Sequence, residues 1–179
     1  MPYHFLDSKL DRAIVAYLVE CGAGTVDNCY PALRCLGRAF PNITVHTTDL
    51  NIPEGDAFSG SRVADVDIMI NQNTIFDPVE TDPYAIARSN AHWAEFNELT
   101  GNVCDALNKW GQSSDLLCDA INAAAAAKAA AEPDEHSDLA SFSIYGIVPL
   151  GESQGFVNDS IWQKIFKLRC HVAAQSLSE

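Results

Sequence analysis

The chain predicts an α+β fold: a helix, an antiparallel hairpin, a long central helix with an alanine-rich helix after it, and a second antiparallel hairpin, making one sheet covered by helices. Three observations carry this expectation. The segment from Ile161 to Val172 sends Trp162, Phe166, Leu168, Cys170 and Val172 to one side and Gln163, Lys167, Arg169 and His171 to the other, the period-two pattern of a half-buried strand. Val66, Ile68 and Ile70 alternate with Asp65, Asp67 and Met69 in the same way. Between these strands, Ile86, Trp93, Phe96, Leu99, Val103 and Leu107 recur at helical spacing.

The first helix is expected after Asp7 or Ser8, with Leu10, Ala13, Ile14, Tyr17, Leu18 and Cys21 on one face and a stop at Gly22-Ala-Gly24. Residues 25 to 42 contain Pro31, Gly37 and Pro41 and predict an irregular connection. Ile43 to Leu50 and Ser61 to Gln72 predict a hairpin, joined by a mobile acidic loop. Asp82-Pro83 is a helix start, because proline at the first helical position gives up an N–H that has no partner there. That helix is expected to reach about Lys109. Ser113 or Ser114 can then cap another, running through Leu117, Ile121 and the alanines to Pro133. With so little side-chain area it is expected as a helical insertion over 113–133, on the surface or against another subunit. Phe142 to Pro149 predicts a strand, Leu150 to Asp159 a loop, and the terminal strand closes a chain read as one domain over residues 1–179.

At 179 residues the chain is long enough to bury roughly 70% of its unfolded surface without staples. No apolar run approaches the ~20 residues of a membrane span, and the opening M-P-Y-H-F-L-D-S-K lacks the pattern of a signal peptide, so a cytosolic product is expected. The six cysteines lie inside apolar patterns without a C-x-x-C pair and predict buried thiols.

A net charge of −13 argues against a surface built to grip nucleic acid, which needs cations that displace counterions from phosphates. Between Asp49 and Asp82 stand eight carboxylates and one base, Arg62. Lys164, Lys167 and Arg169 gather instead on the terminal strand. Asp65 and Asp67 share a strand face, and they are expected to meet Lys167 and Arg169, within one subunit or across a subunit boundary.

Chemistry-bearing motifs are weak. Gly151-Glu-Ser153-Gln-Gly155 fits the G-x-S-x-G elbow of serine hydrolases, but a strand is expected next where the elbow needs a helix, and His171 is the one histidine that follows. His4, His46, His92, His136 and His171 form neither H-x-x-x-H nor H-E-x-x-H, so no zinc site is expected. No catalytic residue, metal or cofactor is expected.

Taken in order, the opening L-D-R-A-I-V-A-Y-L, the strand S-R-V-A-D-V-D-I-M-I-N, the helix D-P-Y-A-I-A-R-S-N-A-H-W-A-E-F-N-E-L and the ending S-I-W-Q-K-I-F-K-L-R-C-H-V resemble the tail-terminator, or tail completion, proteins of long-tailed bacteriophages. The segment from Ser114 to Pro133 is longer and richer in alanine than that family's usual link.

The resemblance implies a virion structural protein of the tail or neck, made in the host cytoplasm and not an enzyme. It implies a homo-oligomeric ring, commonly a hexamer, that caps the tail tube, stops its polymerisation and joins the tail to the head connector. Its partners would be itself, the tail tube protein and a connector or stopper protein; DNA would pass through an acidic lumen without specific binding, and no membrane would be involved. Glu54, Asp56 and Glu152 are the expected lumen or ring-to-ring contacts, and Asp65, Asp67, Lys167 and Arg169 the other expected interface residues. The alternatives are another neck or stopper protein, a tail-tube subunit, a small hydrolase using Ser153, or a binding domain with an apolar pocket.

Overall fold

The computed structural model describes residues 6–31, 39–51, 61–73, 83–109, 113–158 and 161–173. Helix α1 (Leu6–Glu20) buries Leu10, Ala13, Ile14, Tyr17 and Leu18, the face its spacing predicts. It ends as foreseen at Gly22, whose φ of +72° suits a residue without a Cβ. There the Ala23 N–H reaches the Leu18 carbonyl at 2.9 Å and the Gly22 N–H reaches Val19 at 3.0 Å, so the last carbonyls of the helix are satisfied.

The chain then forms β1 (Cys29–Pro31), β2 (Asn42–Asn51), β3 (Ser61–Asn73), α2 (Pro83–Asn108), α3 (Ser114–Ala131), α4 (Pro133–His136), a 3₁₀ turn (Ser137–Ser141), β4 (Ile144–Asn158) and β5 (Ile161–Ala173). The five strands make one sheet in the order β1-β2-β3-β5-β4. Three neighbouring pairs are antiparallel, as expected of two hairpins, and β1 joins β2 in parallel. The sheet is therefore mixed, in an α+β fold.

Three expectations need correction, the third being the loop expected from Leu150, where β4 continues to Asn158. The stretch read as irregular connection contains β1, held by the Asn28 carbonyl, which accepts from Ile43 N–H at 2.7 Å. The alanine-rich helix is no surface appendage: Leu117, Cys118, Ile121, Ala124, Ala125 and Ala129 are buried in the same core as α1 and the sheet. Alanine offers little area itself, but it lets a neighbouring backbone come close, and that close approach is what α3 supplies. Its N-terminus is capped by the Ser113 side chain, which accepts from Leu116 N–H.

The core lies between the helices and the sheet face made by Ile43, Val45, Ala64, Val66, Ile68, Ile70, Phe166, Leu168, Cys170 and Val172. Tyr17 ties α1 to α2 by donating to the Ala106 carbonyl at 2.6 Å. Asn122 clamps the start of β4, donating to Ile144 O and accepting from Ile144 N–H, each at 2.9 Å.

One buried carboxylate completes the sheet where a strand runs out. β1 stops opposite Val45, two residues short of Thr47. Asp11 of α1, 1% exposed, takes both the Thr47 N–H and its hydroxyl at 2.8 Å. Asp11→Ala leaves those donors buried and unpaired, so a loss of about 2–3 kcal/mol in urea unfolding is expected. Asp11→Asn, which keeps one acceptor oxygen, should lose less than half of that.

Candidate functional site

The terminal strand places its charged face as its periodicity predicts. In the β3–β5 ladder Asp65 stands opposite Arg169 and Asp67 opposite Lys167. Arg169 donates from Nε to Asp65 Oδ1 at 2.7 Å and from Nη2 to Oδ2 at 2.8 Å, a bidentate pair. Lys167 Nζ lies 4.0 Å from Asp67 Oδ2. Further along the same face, Asn71 donates to Asn42 at 3.0 Å and Thr44 at 3.2 Å and accepts from Gln163 at 2.7 Å. Apart from Met69 opposite Ile165, the pairs from Asp65 to Asn71 on this face are polar and meet their partners within one chain.

The hydrogen bond from Arg169 holds the Asp65 carboxyl below its usual value, and the same bond pushes the Arg169 guanidinium up. A carboxylate depressed in the folded state adds stability above its unfolded pKa and loses it as pH falls through the folded one.

Glu152 does not join this ladder. It was expected in a loop, yet β4 continues through three register shifts from Ile144 to Asn158 and puts Glu152 opposite Phe166, on the helix-side face. There it pairs with Lys164 at 3.0 Å, and the Lys164 ammonium sits 5.5 Å from the Phe166 ring centroid. The pair borders a cavity of about 530 Å³ that also touches Cys104, Leu107, Ser114 and Leu117. Burial, and secondarily Glu152, raises the Cys104 thiol pKa. Glu54 and Asp56 fall outside the described residues.

The G-x-S-x-G segment is strand, with Ser153 exposed and opposite Ile165. His171 stands opposite Gly146, six residues further along β5, roughly 20 Å away at strand spacing. That separation denies Ser153 the base an elbow needs.

Among the described residues, one group has metal-ligand spacing: Glu132, Glu135 and His136. Arg12 Nη1 meets His136 Nδ1 at 3.2 Å, and a guanidinium can only donate, so the ring proton of the neutral imidazole sits on Nε2, 3.4 Å from Glu132 Oε2. The ring thus has no lone pair left for an ion. Arg12 also makes a two-point pair with Asp138, and Lys128 a single contact with Glu132 at 2.6 Å.

Thiol chemistry is muted as well. Burial pushes Cys29 up to about 12 and raises Cys170 and Cys118, so these are protonated packing groups.

What the sequence reading missed is the surface of β4. It is an edge strand, and from Val148 to Val157 none of its residues is buried. Tyr145, Val148, Leu150, Phe156 and Val157 are about half exposed, and among the described residues they are five of the seven exposed large hydrophobics. The Phe156 ring packs edge-on against Trp162 at 4.5 Å, Trp162 against Trp93 at 5.2 Å, and Trp93 against Phe96 at 5.9 Å. A row of rings so anchors the turn end of the hairpin to α2.

Fold and surface together define an α+β protein with a sheet covered by helices and an apolar strand open at its edge. None of the described helices is long and apolar enough to cross a membrane. No protein-family model matches the chain, and no curated protein matches it.

Asp65→Asn should flatten the acid limb of the stability curve. The contribution of the pair is expected to be intact at pH 5 and to fade below about pH 3.8, read from urea midpoints between pH 3 and 6. An equally steep acid limb in the variant would count against the pair.

Proposed function

We propose that this chain is a virion structural protein of the tail-terminator kind, which assembles into a ring, caps the tail tube and joins it to the head connector. The order of elements supports this reading, and the observation that carries it is β4: a fifteen-residue edge strand whose outer half leaves Val148, Leu150, Phe156 and Val157 about half exposed. A protein that acts alone gains nothing from leaving those side chains in water. One that is completed by neighbours needs them there. The function so read is interface capping without covalent chemistry, with DNA passing an acidic surface that repels phosphate. The net charge of −13 suits that passage.

Purified protein is expected to form closed rings visible by negative-stain electron microscopy. Added to growing tubes, those rings should bind the ends and stop elongation. Particles that stay monomeric and leave tube length unchanged would sink the proposal, and rings that stack on into tubes of their own would favour a tube subunit.

A further inference from the structure

Between α3 and β4 the chain has little of its own to hold it. From Pro133 to Ser141, α4 and the 3₁₀ turn bury one residue, Leu139, and α4 is four residues long, too short to persist without outside contacts. His136 and Asp138 are the half-buried positions of this stretch, and both face Arg12 of α1. The guanidinium spans the connection. Its Nη1 is shared among the Glu135 carbonyl at 3.4 Å, His136 Nδ1 at 3.2 Å and Asp138 Oδ1 at 3.0 Å, while Nη2 pairs with Asp138 Oδ2.

One of these contacts depends on a proton. A guanidinium has no lone pair, so Nδ1 must supply one, and the neutral ring carries its hydrogen on Nε2, toward Glu132 Oε2. The proton that makes an imidazolium therefore lands on Nδ1, against Arg12. It gains no new carboxylate there. Asp138 has both oxygens on the guanidinium, and Glu132, whose other oxygen takes Lys128 Nζ at 2.6 Å, stands on the Nε2 side that already bears hydrogen. The charged groups around the ring are Arg12 from α1, Lys128 and Glu132 at the end of α3, Glu135 within α4, and Asp138, which Lys9 also faces, from the turn. Burial first, then Arg12 and Lys128, outweigh the two glutamates and hold the ring below the ordinary histidine value.

We infer that His136 is a proton-operated latch: neutral, it fastens the α3–β4 connection to α1 by accepting from Arg12, and protonated, it confronts that guanidinium as a second cation and lets α4 and the turn come away. The latch sits within one chain and does not rest on the ring proposed above. Because the released ring binds a proton more tightly than the docked one, the closed connection is favoured above about pH 6.5 and is lost progressively as pH falls below it. Lys128 holds the Glu132 carboxyl below its ordinary value, and Arg12 does the same for Asp138 against the cost of burial, so neither follows the ring through this window. His136, Arg12 and Lys128 also line a cleft of about 490 Å³ between α1 and α3, which release widens on that side.

The test follows amide hydrogen exchange of the full-length chain, with millisecond labelling between about pH 5 and pH 8, expressed as protection so that the intrinsic pH dependence of exchange drops out. Residues 133–141 are expected to lose about threefold or more of their protection across that range, while α1 and α3 keep theirs. His136→Asn, which puts an amide oxygen near the place of Nδ1 and does not titrate, should hold the connection equally at both ends of the range. NMR shifts of the ring nitrogens in the unaltered chain at about pH 8 should report hydrogen on Nε2 alone. Hydrogen on Nδ1 instead, protection that does not change with pH, or the same loss in His136→Asn as in the unaltered chain would each overturn the latch.

Discussion

The structure depends on how α3 is held against β4. Asn122 captures the backbone of Ile144, and Ser114, eight residues earlier in the helix, accepts from Ile147 N–H at 2.9 Å. Moving back along α3 therefore moves forward along β4, and the helix ends where the second half of the strand begins. The eighteen residues of α3 span about 27 Å, but they run away from the outer half of β4 and over α1. Everything from Val148 to Val157, roughly 30 Å of strand, is left without a helix of its own. An uncovered strand with apolar side chains follows from where those three polar contacts anchor the helix.

The opposite sheet face meets the same demand differently. It carries carboxylates and amides, and the β3–β5 register sets each against a partner: Asp65 with Arg169, Asp67 with Lys167, Asn71 with Gln163. The two ion pairs are exposed enough to contribute little to stability, and their value lies in specifying register, whereas Asn71 is buried and needs its partners. Asp11 does a buried version of the same work on β2, standing in for the strand that β1 is too short to provide.

Much of this was legible in the sequence. Period-two alternation located β3 and β5, β-branched residues located β2, and the charges on Asp65, Asp67, Lys167 and Arg169 pointed to those two strand faces meeting, within one subunit or across a boundary, because opposite signs at alternate positions have few other ways to be neutralised. Helical spacing and the Ser113 cap located all three long helices. The outer half of β4 was not legible: Pro149, Gly151, Ser153 and Gly155 read as turn residues, and the strand persists because its rungs are main-chain bonds to β5 that side chains do not dictate. Burial of α3 escaped for a related reason, since alanine marks a helix well and its position poorly. β1 is too short for any period to show.

These differences move the expected interface. Before the fold was known, the charged face of the terminal strand was the natural contact surface in an acidic chain. Its cations are now bound to carboxylates of the same chain, and Lys164 to Glu152 likewise, so a partner would have to displace a satisfied pair and pay its desolvation again. The β4 side chains carry no such debt. Water released from Leu150, Phe156 and Val157 favours any surface that covers them, and no register of charges needs to be remade. Shape, and the register breaks that keep the edge from pairing with arbitrary strands, then decide which surface can cover them.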